Sequence, residues 1–314
     1  MDKADEVPAV ISETNPRNPT EILPESIPSE MSNQGGQDLV AAQDENEEDD
    51  DDSALGEDFA SSTASLTSSI LEYRKFQGRT FNSDKYETEY FAPNDERQKE
   101  SIDISHHYLM LLLDGKLSLV PSSDDLEKVL DIGTGTGIWA IDFADQYPNA
   151  QVIGTDLSPI QPDWVPPNVR FELEDATSNW TWSNDSFDFV HMRYLIGAIT
   201  DWGALFKEAF RCCKPGGFVE SVSGFVDLQV TDFKVPVGGW AKDSKLRQVG
   251  QFLRATIEND LEGYTLMAWQ QILGWPRDEY ELFLMDMRKA LRHKKVHSYI
   301  RVRFINARKP WDAR

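Results

Sequence analysis

The chain has 314 residues, a formal net charge of −23 and two cysteines, which are adjacent at Cys212 and Cys213. Two adjacent cysteines provide no disulfide framework, and the acidic balance argues against direct nucleic-acid binding, which needs Lys and Arg to neutralise phosphates. No apolar run approaches the roughly 20 residues that span a bilayer, so we expect no membrane partner either.

The first part of the chain, residues 1–69, is predicted to be a disordered acidic tail. Eighteen acidic residues occur up to Leu66, against Lys3 and Arg17, and no aromatic residue precedes Phe59. Such a segment buries too little apolar surface to offset the entropy of ordering it. We interpret it as a solvating spacer, with a docking segment for a basic partner as the alternative. Its start lacks the basic and apolar features of a signal peptide, so we expect an intracellular protein, in the nucleus or cytoplasm.

The next segment, residues 70–127, is predicted to be an N-terminal helical cap. Asp95 has the residue type and position of a helix N-cap, and the run from there to about Leu113 places apolar side chains near one helical stripe. His106 and His107 follow one another and therefore point to different faces of the helix. This arrangement argues against a metal site, and we expect no metal.

From Lys128 onward, short apolar strands alternate with helices, which is typical of a parallel sheet. Strands are predicted at 129–132, 151–155, 169–173, 187–191 and 218–221, and helices at 138–146 and 201–213. The pattern predicts a doubly wound, Rossmann-like α/β domain over 128–314. A helical insertion is predicted within it at 243–291, followed by a closing strand at 298–307.

A glycine-rich turn lies between the first of these strands and the helix that follows it. The turn has the sequence Asp131-Ile-Gly-Thr-Gly-Thr-Gly137. Glycines at 133, 135 and 137 let the backbone approach a ligand closely, so the turn predicts a ligand site. The same spacing resembles the dinucleotide-binding pattern, and glycines alone therefore do not choose the cofactor.

Three acidic residues at the ends of successive strands favour a methyl donor. Asp131, at the mouth of the first strand, suits the amino group and positive charge of S-adenosylmethionine and is poorly suited to a pyrophosphate. Asp156 ends the second strand, where ribose hydroxyls of either cofactor would lie. Asp175, after the third strand, can accept a hydrogen bond from an adenine amino group. Each acid alone is more often a helix cap or a solvated turn residue, but together they indicate S-adenosylmethionine.

These motifs resemble the class I S-adenosylmethionine-dependent methyltransferases, and longer stretches resemble the fungal LaeA-like family. The stretches are 129–144, 153–162, Gly78-Arg79, Pro93-Asn-Asp-Glu96, Leu273-Gly-Trp275 and His297-Ser-Tyr299. The resemblance covers roughly residues 70–310. It implies a methyltransferase connected with secondary metabolism, which acts on a protein or a small metabolite and has regulatory protein partners. The cofactor contacts that it implies are Asp131, Gly133, Thr134, Gly135, Gly137, Asp156, Leu157, Asp175 and Ala176.

Two residues, one at the end of the fourth strand and one just after it, are candidates for a role toward the methyl acceptor. Histidine as a residue type has a reference pKa of about 6.5, which suits proton transfer near neutrality, so His191 is a weak candidate for a general base. The alternative is that this histidine caps or packs the strand end. Arg193 either binds an acidic acceptor or pairs with a local carboxylate, and we favour the second interpretation.

The sequence departs from the family pattern after the fifth strand. The run that ends at Ser221 continues through Gly224 into Phe225 without the crossover of about a dozen residues that parallel neighbours need. Three explanations are left open: the two runs fuse or fold back as a hairpin, the sheet is truncated after strand five, or the sequence comes from a misassembled or alternatively spliced gene model. In relatives, the absent stretch helps to wall the acceptor pocket. A catalytically weak or inactive regulatory module is therefore the alternative to an enzyme, and an oxidoreductase, opposed by Asp131, is a third.

Overall fold

The structure is a computed structural model that describes residues 72–86, 88, 90–120, 125–219 and 225–313. The predicted acidic tail, residues 1–69, lies outside these ranges, as does the short segment 220–224. Within the described ranges, no helix has both the length and the apolar character needed to cross a membrane.

The N-terminal part contains a small hairpin and a long helix. Strand β1 (Arg74–Phe76) pairs antiparallel with β2 (Arg79–Phe81), and helix α1 spans Glu96–Leu112. The predicted N-cap is confirmed, because the Asp95 side chain accepts a hydrogen bond from the backbone N–H of Gln98 at 3.3 Å. The hairpin was not predicted, because strands of three residues are too short to show a periodic pattern.

Seven further strands form the central sheet. They are β3 (Lys128–Ile132), β4 (Gln151–Asp156), β5 (Val169–Leu173), β6 (Phe187–Met192), β7 (Cys213–Val219), β8 (Val226–Pro236) and β9 (Tyr299–Arg308). Their order across the sheet is β5-β4-β3-β6-β7-β9-β8. Neighbours from β5 to β7 are parallel, and β9 is antiparallel to both of its neighbours. The predicted doubly wound α/β sheet is confirmed, and the carboxyl ends of β3 to β6 meet on one side of it.

Helices cover both faces of this sheet. Helix α2 (Ile138–Gln146) follows the glycine turn and packs one face through residues such as Trp139, while α3 (Trp202–Cys212) packs the other through residues such as Leu205. The segment predicted as a helical insertion contains α4 (Ser244–Asn259), α5 (Leu261–Ala268), a π-helical turn (Trp269–Leu273) and α6 (Arg277–Arg292). Helix α1 packs against α4 and the β8–β9 ribbon, which fixes it in place beside the sheet.

The chain after β7 shows that the sheet is not truncated. Strands β7 and β8 pair with opposite edges of β9, with Val219 next to Ala307 and Val226 next to Arg308. A hairpin between β7 and β8 is therefore wrong as well, because β9 lies between them. The start of β7 also differs from the prediction, since the strand begins at Cys213, five residues before the predicted start at 218.

A buried arginine joins the N-terminal hairpin to two helix starts. The Arg79 guanidinium donates hydrogen bonds to Asp95 at 2.5 and 2.8 Å and to Asp260 at 2.7 Å from each of two nitrogens. Asp95 caps α1, and Asp260 caps α5 by accepting from the backbone N–H of Gly263. One side chain therefore ties together three elements that are distant in the sequence.

Candidate functional site

A cavity lies at the carboxyl ends of β3 to β6, and eight of the nine predicted cofactor residues line it. These are Asp131, Gly133, Thr134, Gly135, Asp156, Leu157, Asp175 and Ala176. The ninth, Gly137, is not among the lining residues. Its φ is 81°, and a Cβ there would lie 2.3 Å from Cζ of Phe171. The structure thus gives Gly137 a packing reason to be glycine at the start of α2.

The glycine turn forms a narrow floor for the cavity. Gly133 and Gly135 have φ values of 66° and 60°, in the left-handed region that favours glycine. A Cβ on Gly133 would lie 2.4 Å from Cδ2 of Leu195, in the segment after β6, and one on Gly135 would lie 3.5 Å from Ile102 of α1. The turn is therefore enclosed between these two elements, and its backbone is the part that a ligand can approach.

Asp156, the last residue of β4, is hydrogen-bonded to the backbone of the glycine turn. Its carboxylate accepts hydrogen bonds from the backbone N–H of Gly135 at 2.8 Å and of Ser158 at 3.0 Å. Burial raises the pKa of this carboxyl to about 6, although the backbone donors favour the ionised form. The group is therefore mostly ionised at neutral pH, and its two oxygens retain lone pairs for ligand hydroxyls.

Asp131 and His191 form a buried pair on neighbouring strands. Their parallel register places them side by side, with His191 Nδ1 2.6 Å from Asp131 Oδ1, while Thr134 donates to Oδ2 at 2.5 Å. Because an ionised carboxylate only accepts, Nδ1 carries the ring proton and donates it. The imidazole also stacks on the Trp139 indole, with ring centroids 3.7 Å apart. The structure thus brings the predicted donor contact and the candidate base together.

Asp175 follows β5 and is held by two threonines. Thr88 Oγ1 lies 3.1 Å from each carboxylate oxygen, and the backbone N–H and hydroxyl of Thr177 donate to Oδ1 at 2.9 and 2.7 Å. Among the described residues, Oδ2 accepts only from Thr88, so it has capacity for one more donor. The carboxylate is thereby oriented at the cavity wall.

The N-terminal segment contributes cavity residues that the sequence analysis did not find. Tyr90, Asn94 and Gln98 line the cavity, and among the described residues Asn94 Oδ1 and Gln98 Oε1 are buried acceptors without a hydrogen-bond partner. A buried acceptor that finds no donor costs about 1–3 kcal/mol. These oxygens therefore fit a ligand that brings N–H or O–H groups. In the sequence, the one signal for this segment was the stretch Pro93-Asn-Asp-Glu96, which was interpreted only as part of the family resemblance.

Arg193, His106 and His107 differ in their contacts and in their exposure to solvent. Arg193 lines the cavity and contacts His106, and no carboxylate of the described residues pairs with it, so the favoured sequence interpretation is wrong. His106 is buried and contacts Asp142, whereas His107 is exposed and packs against Phe252. Within the described ranges, no group of three or more His, Cys, Asp or Glu side chains is arranged to hold a metal ion.

Comparison with known proteins identifies a methyltransferase family. Residues 104–262 match the family model described as a methyltransferase domain. Methyltransferase pytC of Aspergillus terreus is 30% identical, in an alignment covering 87% of this chain and 99% of that protein. Secondary metabolism regulator LAE1 of Cochliobolus heterostrophus is 29% identical, covering 70% and 90%. Protein-methionine methyltransferase laeA of Emericella nidulans is 24% identical, covering 76% and 77%.

The cavity residues fit the donor that this family uses. S-adenosylmethionine brings an ammonium group, two ribose hydroxyls and an adenine amino group, all of which are hydrogen-bond donors. The cavity presents acceptors to such a ligand: the carboxylates of Asp156 and Asp175 and the unpartnered oxygens of Asn94 and Gln98. The family match also decides between the two cofactors that the glycine spacing left open. The chain therefore belongs to the methyltransferase domain family, in its fungal LaeA-like group, and S-adenosylmethionine is its methyl donor.

Proposed function

We propose that this protein transfers a methyl group from S-adenosylmethionine to a protein or a small metabolite in fungal secondary metabolism. The observation that carries the proposal is the enclosed glycine turn with Asp131, Asp156 and Asp175 at three neighbouring strand ends. The connection with secondary metabolism and the protein acceptor are taken from the names of two relatives. One is named a secondary metabolism regulator, and another is named a protein-methionine methyltransferase. The proposal extends these roles to the present chain.

In this proposal the donor lies across the strand ends, above the glycine turn. Asp156 accepts hydrogen bonds from the ribose hydroxyls, and Asp175 accepts one from the adenine amino group. Leu157 and Ala176, which follow β4 and β5, supply apolar contacts to the nucleoside. Asn94 Oδ1 and Gln98 Oε1 accept from the donor's remaining polar hydrogens, which removes the cost of two unpartnered buried acceptors.

The donor supplies an electrophilic methyl group on a sulfonium sulphur. The protein aligns the acceptor with that methyl group and excludes water from the cavity. His191 is the candidate general base, because it lines the cavity and the contact of its Nδ1 with Asp131 orients the imidazole. Stacking on Trp139 fixes the plane of the imidazole. A base is required only for an acceptor that is poorly ionised.

The test is transfer of a labelled methyl group to two acceptor pools, a fungal protein extract and a small-molecule extract. We expect label to enter one of the pools with the wild-type protein and to be lost with Asp156→Ala. The control is Asp163→Ala, because Asp163 is an exposed carboxylate in the segment after β4 and does not line the cavity.

The same assay tests the role of His191. Loss of a general base lowers turnover by about 10²- to 10⁴-fold. We expect His191→Ala to lower turnover in this range with the purified acceptor. Unchanged turnover would rule out the catalytic role and leave a packing role for the imidazole.

A regulatory module that binds the donor without turnover is the second candidate. Only six positions, 220–225, separate β7 from β8, and a helical crossover needs about a dozen residues or more. The family resemblance implies that a helical stretch at this place forms part of the wall of the acceptor site. Tight donor binding with no label in either pool would favour this module, whereas label in either pool would exclude it.

A further inference from the structure

The charges that line the cavity are unevenly distributed. The carboxylates among the lining residues are Asp131, Asp156, Glu174 and Asp175, whereas Arg193 is the single Lys or Arg side chain among the described lining residues. S-adenosylmethionine carries its own carboxylate on the amino-acid end. Four lining acids repel that carboxylate, and like charges in a cavity of low dielectric interact more strongly than in water. Arg193 is therefore the lining side chain that offsets this repulsion.

The guanidinium of Arg193 has N–H donors that lack a close acceptor among the described residues. Its two terminal nitrogens lie 3.3 and 3.4 Å from Nδ1 of His106, which are long distances for hydrogen bonds. A guanidinium has five N–H donors in a fork that matches the two oxygens of a carboxylate. Among the described residues, no carboxylate takes up this fork. The unused donors are available at the cavity wall.

His106 and Asp142 hold the guanidinium in place. Because Arg193 can only donate, His106 Nδ1 must accept, so the ring proton is on Nε2. His106 Nε2 lies 2.8 Å from Oδ2 of Asp142 and donates to it. His106 is buried on α1 and Asp142 lies on α2. Two helices thus fix both the tautomer of His106 and the position of Arg193.

The position of Arg193 relative to Asp175 agrees with an extended donor. Asp175 follows β5 and Arg193 follows β6, and the sheet order β5-β4-β3-β6 puts these strands three spacings apart, roughly 14 Å. A donor whose adenine contacts Asp175 and whose ribose contacts Asp156 then extends past the glycine turn toward Arg193. The amino-acid end of the donor is the part that reaches β6.

We propose that Arg193, positioned by His106 and Asp142, binds the carboxylate of the amino-acid moiety of S-adenosylmethionine. The inference rests on the proposed function, because it takes the donor to occupy this cavity. A bidentate pair between guanidinium and carboxylate is among the stronger charge-assisted contacts in proteins. It supplies the donor's one anionic group with a partner that the acids of the cavity do not provide.

The test compares two ligands by titration calorimetry. Decarboxylated S-adenosylmethionine keeps the sulfonium and ammonium groups and lacks only the carboxylate. We expect Arg193→Gln to weaken S-adenosylmethionine binding by about 10- to 100-fold and binding of the decarboxylated ligand by less than about threefold. Equal weakening of both ligands would overturn the inference by showing a structural role for Arg193.

Other results of this titration separate the inference from the proposed function. Unchanged S-adenosylmethionine affinity in Arg193→Gln would overturn the inference alone, and would leave an anionic group of the methyl acceptor as the ligand of Arg193. A wild-type protein that binds neither ligand would overturn the proposed function and the inference together.

Adjacent histidines provide a matched pair for the positioning role of His106. We expect His106→Gln to weaken binding of S-adenosylmethionine and to leave the decarboxylated ligand unaffected, because only the carboxylate depends on Arg193. His107→Gln, one residue further along α1, is the control, since the His107 ring is exposed and packs against Phe252. Equal effects of the two variants, or a loss for both ligands in His106→Gln, would contradict the positioning role. Thermal melting of both variants checks that they fold.

Discussion

The ionisation of Asp156 makes donor binding depend on pH in a way that one substitution can isolate. The carboxyl group ends β4, supports the glycine turn through Gly135, and has a pKa raised by burial to about 6. In the proposed complex the ribose hydroxyls donate to the ionised form. Protonation therefore removes the form that binds, and donor affinity falls as the pH drops through 6.

The size of this effect follows from the ionised fraction. With a pKa of about 6, the Asp156 carboxyl is about 90% ionised at pH 7 and about 10% ionised at pH 5. The apparent dissociation constant rises in inverse proportion to the binding-competent fraction, which gives an increase of about tenfold between pH 7 and pH 5. Asp156→Asn removes the titrating group, so its affinity is expected to be weaker at pH 7 and flat over this interval.

The same pKa sets the sign of a stability effect in the protein without donor. The folded carboxyl takes up its proton near pH 6, above its value of 3.8 in a model compound, so the folded state binds the proton more tightly than the unfolded chain does. Keeping Asp156 ionised therefore lowers stability at neutral pH. We expect the wild type to gain stability relative to Asp156→Asn as the pH falls from 7 toward 5.

Titration calorimetry with S-adenosylhomocysteine from pH 5 to pH 8 at constant ionic strength measures the binding effect. Asp163→Asn, which removes an exposed carboxylate nearby in the sequence, is the control and should follow the wild type. A pH dependence that persists in Asp156→Asn would refute the assignment to this carboxyl. A wild-type affinity that does not change with pH would refute this assignment as well.

Three further predictions concern the residues that hold the cavity and the core in place. Arg79→Met removes the partner of two carboxylates and should lower the free energy of unfolding in urea by about 3–5 kcal/mol. Arg303→Met, which breaks an exposed pair with Asp232, should have a much smaller effect, and equal losses would contradict the difference in burial. Gly137→Ala should destabilise the protein by about 1–3 kcal/mol more than Gly78→Ala in the same assay, because both glycines have positive φ but only the first would place a Cβ against Phe171. Burial raises the pKa of Cys212 to about 11 and of Cys213 to about 12, so iodoacetamide near neutral pH should label both only after unfolding, and rapid labelling of the native protein would show that they are accessible.

Local patterns were sufficient to predict the parts of the fold and site that depend on neighbouring residues. The cap at Asp95 and the helix after it were recognisable because a capping carboxylate and an apolar stripe adjoin in the sequence. Asp131, Asp156 and Asp175 were found because each lies at or just after the carboxyl end of a strand, and parallel strands bring these ends together. Family resemblance then named a cofactor that glycine spacing alone had left open.

Contacts between distant segments were beyond these patterns. Arg79 binds Asp260, 181 positions away, and no periodicity connects the two residues. Asn94 and Gln98 belong to the N-terminal segment, so their presence in the cavity depends on how α1 packs beside the sheet. The pairing of Arg193 with His106 depends on the same packing. The short connection after β7 misled the sequence analysis, because it gave no sign that β9 would insert between β7 and β8.

A crystal structure of the protein with S-adenosylhomocysteine tests the central claim most directly, which is that the enclosed glycine turn and the strand-end carboxylates hold the donor. We expect the ribose to lie against Asp156, the adenine amino group against Asp175 and the sulphur above the turn at Gly133 to Gly135. Ligand density at any other place in the molecule, or a nucleoside that contacts neither carboxylate, would contradict it.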